Sequence, residues 1–176
     1  MSLRSSTTRY GSVAIAIHWL TALVILALFV TGLLAAGQGD PAAKLALVRF
    51  HVPLGTTVLM LTLLRIVWWW VMDRRPALPA NQPDWQKFVA HAVHIALYLV
   101  ILLLASSGIA TLVLSGALPA IIAGTTLPDF ETVLPRLVHG AASKVMLCLL
   151  VLHVGAALYH QFIRRDHLLA RMGLGA

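Results

Sequence analysis

Charge is what this sequence has least of: Asp, Glu, Lys and Arg make up 11% of its 176 residues, against about 25% in ordinary soluble domains. Acidic side chains number six, and a chain so poor in ions with 60% hydrophobic residues has no surface with which to face water all round, which excludes a soluble globular fold. Cysteine is the next scarcity. A single Cys148 excludes a disulfide framework, a CxxC redox pair, a cysteine-ligated iron-sulfur cluster and a CxxCH haem attachment site. Internal repeats and low-complexity tracts are missing too, so a solenoid is excluded. The formal charge of +7 would suit nucleic acid in a soluble protein; in an apolar one, basic residues first set orientation in the bilayer, and no nucleic-acid partner is expected.

What is present is long uncharged sequence. Tyr10 to Gly39, Phe50 to Leu64, Phe88 to Pro128 and Val145 to Ile163 hold no Asp, Glu, Lys or Arg. Three of these reach the roughly 18 to 20 residues that cross a hydrocarbon core, and the second does so if Arg65 is carried inside it. The expected fold is an all-α membrane protein, a single domain over 1–176 forming a four-transmembrane-helix bundle with spans at about 13–36, 47–72, 85–114 and 136–163. The first run is too long for a signal-peptide core and carries His18 and Trp19, so it reads as a retained helix. Pro76, Pro79 and Pro83 break the chain between spans two and three, and Ser115 to Pro135 reads as a long loop with a short interfacial segment. An even number of crossings puts both termini on the side of the Asp73 to Lys87 loop. That side holds Arg4, Arg9, Arg74, Arg75, Lys87, Arg164, Arg165 and Arg171, against Lys44, Arg49 and Arg136 on the other; the bias places both termini in the cytoplasm.

Eight histidines in such a chain are the anomaly, because a strongly polar side chain at membrane depth is costly and marks a functional site by default. His18, His51, His91, His94, His139 and His153 fall inside the expected spans; His160 and His167 lie at or beyond the cytoplasmic end. His139 and His153 are fourteen residues apart on span four, hence about 21 Å apart in depth and within roughly 40° of one face. Alternating span directions put His51 at the outer depth of His139 and His18 at the inner depth of His153. Two imidazoles from facing helices at one depth can fill both axial positions of a haem iron, and two such pairs describe two haems stacked across the bilayer.

The neighbours leave alternatives. Gly55, Gly140 and Gly155 lie close in sequence to the paired histidines and offer room for a porphyrin, or serve only as small residues at helix contacts. Arg65, fourteen residues after His51, either meets a haem propionate or snorkels to the headgroups, and Lys144 poses the same choice at the outer layer. His91 and His94 sit one turn apart near the cytoplasmic start of span three. Either His94 replaces an inner ligand, or His91, His94 and His160 line a polar pocket for a quinone headgroup, or the three are interfacial histidines bonded to carbonyls and water. A histidine-lined metal or proton transporter is the competing class. It calls for carboxylates or thiols beside the histidines within the spans, and the sequence has none there.

The IHWL segment (Ile17 to Leu20), FHVPLG (Phe50 to Gly55), VAHAVHIALYL (Val89 to Leu99), the VHG start of span four and LHVGAALYHQFIRRDHLLARM (Leu152 to Met172) together resemble the bacterial cytochrome b561 family of small dihaem membrane proteins. The resemblance covers nearly the whole chain. It implies two haem b groups, His18 and His153 holding the cytoplasmic-side iron and His51 and His139 the periplasmic-side iron, in a multi-pass protein of the bacterial inner membrane. It further implies electron transfer between membrane quinone, ubiquinone above all, and a periplasmic-side partner; family members include a superoxide oxidase activity, superoxide:ubiquinone oxidoreductase. The alternative it leaves is a haem b anchor subunit of a separate dehydrogenase or hydrogenase. Lys44, Arg49, Arg136 and Lys144 form an outer cationic set that would draw in superoxide, offset by Asp40, Asp129 and Glu131.

Overall fold

A computed structural model describes residues 2–77 and 82–175. Four helices are long and apolar enough to cross a membrane: Ser12–Gly37, Pro41–Met72, Asp84–Leu114 and Leu134–Arg164. We label the α-helices α1 (Ser12–Gly37), α2 (Pro41–Val67), α3 (Asp84–Leu114), α4 (Ala117–Ala123) and α5 (Leu134–Leu158). The last turns of α2 and α5 widen into π-helix at Trp68–Met72 and Tyr159–Arg164.

The second span begins at Pro41, six residues earlier than the expected start at Leu47. Proline suits the first helical position because its missing N–H would be unpaired there anyway. The Asp40 carboxylate accepts from the amides of Ala42 and Ala43 at 3.2 and 3.3 Å, completing the N-cap. Lys44 therefore lies within the helix instead of ahead of it. Pro53 becomes an interior residue rather than one of the first turns, and it removes a helical bond to the Arg49 carbonyl. Other boundaries shift by one or two residues. The centre of the loop between the second and third spans, Pro79 included, lies outside the described residues.

The expected interfacial segment is α4, seven residues set between Gly116 and Gly124, whose φ angles of 65° and 78° are left-handed. Arg49 reaches across to its C-terminal end, donating from Nε to the Ile121 carbonyl at 2.6 Å and from Nη2 to that of Ile122 at 2.8 Å. A cation is favoured there by the helix dipole.

Two tight antiparallel pairs make the bundle. α1 packs along α2 and α3 along α5, while contact between the two pairs is sparse. Across the gap the pairs meet in an apolar belt of Ile25, Val58, Ile101 and Met146, one residue from each long helix. The outer faces are apolar as well: Leu23, Leu33, Val113 and Val151 are exposed, which a lipid solvent rewards and water would not. Buried hydroxyls obey the same logic. Thr21, Thr62, Ser107 and Thr111 each donate to a carbonyl one turn back, at 2.6 to 2.8 Å, so these four hydroxyl hydrogens do not face hydrocarbon.

Both chain ends gather at one end of the bundle, hereafter the near end. The Arg171 guanidinium donates to the carbonyls of Thr8 (2.8 Å) and Ala77 (2.6 Å). The Trp19 indole donates to the Met172 carbonyl at 3.0 Å. Asp73, just past the second span, accepts from the Ser5 amide and hydroxyl at 3.0 and 2.7 Å. Even crossing number is thus visible in the contacts themselves.

Candidate histidine site at two levels

At the far end, α2 carries His51 and α5 carries His139, and their ring centres lie 6.2 Å apart with planes at 71°. At the near end, α1 carries His18 and α5 carries His153, with ring centres 6.1 Å apart and planes at 66°. Fourteen residues on one straight helix hold His139 and His153 toward the same gap, and the apolar belt lies between the two levels.

The spacing has a chemical meaning. A first-row metal bonds an imidazole nitrogen at about 2.0 Å, and that nitrogen lies about 1.1 Å from its ring centre, so two rings opposed across one metal stand about 6 Å apart centre to centre. Rings in van der Waals contact would be free to stand closer. Each pair stands at about the separation that a metal held between the two rings would require.

Hydrogen bonding at the far level leaves the right nitrogen free. His139 Nδ1 donates to the Leu104 carbonyl at 3.0 Å and lies 3.2 Å from the Ser107 hydroxyl; a carbonyl only accepts, so Nδ1 carries the proton. His51 Nδ1 lies 3.0 Å from the Thr31 hydroxyl, which itself donates to the Ala27 carbonyl at 2.9 Å. Both rings therefore present an unprotonated Nε2, the ligating form. Between them lies a partly enclosed cavity of about 90 Å³, lined by Gly55, Ala105 and Ser143 among larger residues. A planar ring larger than this cavity would extend sideways toward the sparse contact between the helix pairs.

The near level is built differently. Arg65 donates from Nη1 to His18 Nδ1 at 3.1 Å, and its guanidinium carbon lies 6.0 Å from the Tyr98 ring centre. Arg65 Nε is buried without a partner. The side chain turns into the bundle instead of snorkelling outward, a cation with an unfilled donor in a low-dielectric place. A haem carboxylate at this level would supply both the counter-charge and the missing acceptor, and would release His18 Nδ1 from a contact that otherwise puts the proton on Nε2. His94 of α3 stands 5.1 Å from His153, ring planes perpendicular, and donates from Nδ1 to the Ala90 carbonyl at 2.6 Å.

Other expected participants are spread out. His160 pairs with Asp166 and stacks edge-on against Tyr159; among the described residues, neither it nor His91 is in ring contact with His94. Lys144 is exposed on α5. Gly140 faces the Arg136 guanidinium, and Gly155 has open space beside it. Residues that sequence reasoning passed over lie on the partner helices: Gly32 of α1, where a Cβ would come within 3.1 Å of His51 Cε1, and Gly108 of α3, where one would come within 3.3 Å of His139 Cε1.

A family model of prokaryotic cytochrome b561 matches residues 9–175. Cytochrome b561 homolog 2 of Escherichia coli (strain K12) is 28% identical over 98% of this chain and 95% of its own. Cytochrome b561 homolog 1 of the same organism is 28% identical over 93% of this chain and 96% of its own. With four apolar spans and a match along nearly its full length, the chain belongs to the prokaryotic cytochrome b561 family, bacterial multi-pass membrane proteins that move electrons across the bilayer through b-type haem.

Proposed function

We propose that the chain holds two b-type haems, one between His51 and His139 and one between His18 and His153, and carries electrons across the bacterial inner membrane between ubiquinone and a redox partner on the opposite side. The carrying observation is the pair of matched ring separations, 6.2 and 6.1 Å, at two depths of one bundle. Bound haem passes single electrons by cycling its iron between ferric and ferrous. The protein's part is to set the Nδ1 protons, hold a cation beside the near level through Arg65, and keep water out with the Ile25, Val58, Ile101 and Met146 belt.

The near end reads as the cytoplasmic one by its excess of arginine. Quinone chemistry belongs there, since reducing a quinone takes two electrons and two protons, and His94, His91 and the His160–Asp166 pair are the groups able to exchange protons at that edge. At the far end, Lys44, Arg49, Arg136 and Lys144 favour an anionic electron donor such as superoxide, each molecule of which gives up one electron and leaves as dioxygen. The pull is moderated because Arg136 pairs with Glu131 at 3.2 Å.

A reduced-minus-oxidised absorption spectrum with a haem count per chain tests the reading. Two b-type haems per chain are expected; a colourless protein or a single haem rejects it. Superoxide-dependent reduction of ubiquinone by the purified protein separates an enzyme from an anchor subunit, which would instead co-purify with a soluble dehydrogenase or hydrogenase.

A further inference from the structure

The two helix pairs present their far-level histidines with the same local device. On α1 a hydroxyl residue followed by glycine, Thr31-Gly32, faces His51 of α2; on α3 a hydroxyl residue followed by glycine, Ser107-Gly108, faces His139 of α5. In each case the hydroxyl lies about 3 Å from Nδ1 while its own hydrogen goes to a carbonyl one turn back: Thr31 to Ala27 at 2.9 Å, Ser107 to Leu103 at 2.6 Å. With that hydrogen spent, the oxygen is an acceptor for the ring. The glycine one position on removes the Cβ that would crowd Cε1, at 3.1 Å for Gly32 and 3.3 Å for Gly108. At separations this short a methyl group would displace the ring. The hydroxyl fixes which nitrogen carries the proton, and the glycine lets the ring stand against the helix.

We infer that Thr31 and Ser107 are positioning residues: each, together with the backbone carbonyl three residues before it, holds its histidine, His51 or His139, in the Nδ1–H form with Nε2 toward the gap. This rests on the proposal that these histidines bind a haem iron. The carbonyl is that of Leu104 for His139, at 3.0 Å, and that of Leu28 for His51. An acceptor on Nδ1–H raises the electron donation of the ligating nitrogen and so favours ferric iron. Removing the hydroxyl shifts the couple toward ferrous iron at either site.

The experiment uses the full-length haem-loaded protein and, in parallel, the haem-free protein. Thr31→Val, close in shape but without the acceptor, is expected to retain two haems and shift the far haem's ferric-to-ferrous equilibrium about tenfold toward ferrous, about 59 mV for one electron, with an altered low-spin electron paramagnetic resonance signal. Ser107→Ala is expected to shift it in the same direction, and Thr31→Ser to restore the native value. In the haem-free protein, nitrogen-15 histidine spectra should show His51 and His139 as Nδ1–H forms, with Thr31→Val moving His51 alone partly toward Nε2–H. Loss of the far haem in Thr31→Val with retention in Thr31→Ser supports the inference equally. It is overturned by an unchanged potential and signal in Thr31→Val with both haems present, by a shift toward ferric iron in either variant, by loss of haem in Thr31→Ser as well, or by a His51 tautomer population that does not change without the hydroxyl. A wild-type chain lacking a far haem would instead sink the haem assignment, while the haem-free spectra would still report on the tautomers.

Discussion

The far and near histidine levels have almost the same ring separation, yet their surroundings have little in common. At the far level each ring meets a neutral hydroxyl, a glycine and a backbone carbonyl. At the near level His18 meets a guanidinium and His153 meets a third imidazole. A neutral, doubly repeated cradle fixes geometry and tautomer and offers no mobile proton beyond them. A level with a buried cation and a spare histidine offers charge compensation and proton exchange. The difference supports the proposed function, in which the far level would pass electrons only and the near level would couple them to protons, as a quinone requires.

Ligand removal breaks the comparison most completely. Replacing His51 or His139 by alanine should abolish the far haem and leave one haem per chain; replacing His153 should abolish the near one. Outer-shell changes cost about 10 to 100-fold in metal affinity, and losing a ligand costs more. Two haems retained in any of these variants would reject the assigned pairs. At the near level the choice of partner for His153 is itself testable. The 6.1 Å separation favours His18, whereas the 5.1 Å separation of His94 is short for two rings sharing an iron. His94 nonetheless has its Nδ1 proton fixed by Ala90, as a ligand should, and His18 does not while Arg65 donates to it. His18→Ala should therefore lose the near haem and His94→Ala keep it; the opposite result would exchange their roles.

Much of this was legible before any coordinates. Charge-free runs announced four spans because ions are costly in lipid, and the fourteen-residue step from His139 to His153 announced two levels because helix periodicity is rigid. The start of α2 lies six residues ahead of the expected one because the onset of an apolar run does not mark a helix end. A helix end is set by its cap, and Asp40-Pro41 is the stronger signal there. The glycines chosen from the sequence were chain neighbours of the histidines: of these Gly55 lines the far cavity, but the glycines against the rings are Gly32 and Gly108, on other helices. Which helix faces which ring is tertiary information. The one local hint was a hydroxyl-glycine dipeptide, Thr31-Gly32 and Ser107-Gly108, but it occurs again at Ser115-Gly116, where no ring stands against the glycine.

An intermediate effect is expected at Arg65, the sharpest chemical difference between the levels. Methionine there keeps much of the side chain's volume and removes its charge. A cation beside a haem favours the ferrous state, so Arg65→Met should lower the near haem's potential and leave the far one unmoved. At an effective dielectric near 20 such a charge is worth roughly 1 to 2 kcal/mol at haem distances, on the order of the 59 mV that accompanies a tenfold change in a one-electron equilibrium. Potentiometric titration resolving two components checks this. A fall at the far haem, or none at either, would remove Arg65 from the near site.

The smallest effect lies outside the membrane, where the near end is tied together by Asp73. Partial burial of its carboxyl acts to raise the pKa, but hydrogen bonds from the Ser5 hydroxyl and amide, the Arg74 amide and the Trp68 indole more than offset this and hold it below the usual carboxylate range. A group depressed in the folded state contributes stability above its unfolded pKa and loses it as pH falls through the lower, folded value. The tie between the N-terminal segment and the end of the second span should thus be intact at neutral pH and weaken only as pH falls below the usual carboxylate range, because a protonated carboxyl no longer attracts four donors. Asp73→Asn should reproduce that loosening at neutral pH. Hydrogen exchange checks it: the amides of Ser5, Arg74 and Ala77, the last bonded to the Thr7 carbonyl at 3.1 Å, should exchange several-fold faster, while peptides at the far end around Asp40 and Asp129 stay unchanged. Equal acceleration at both ends would show general loosening of the bundle and not a tie made by one carboxylate.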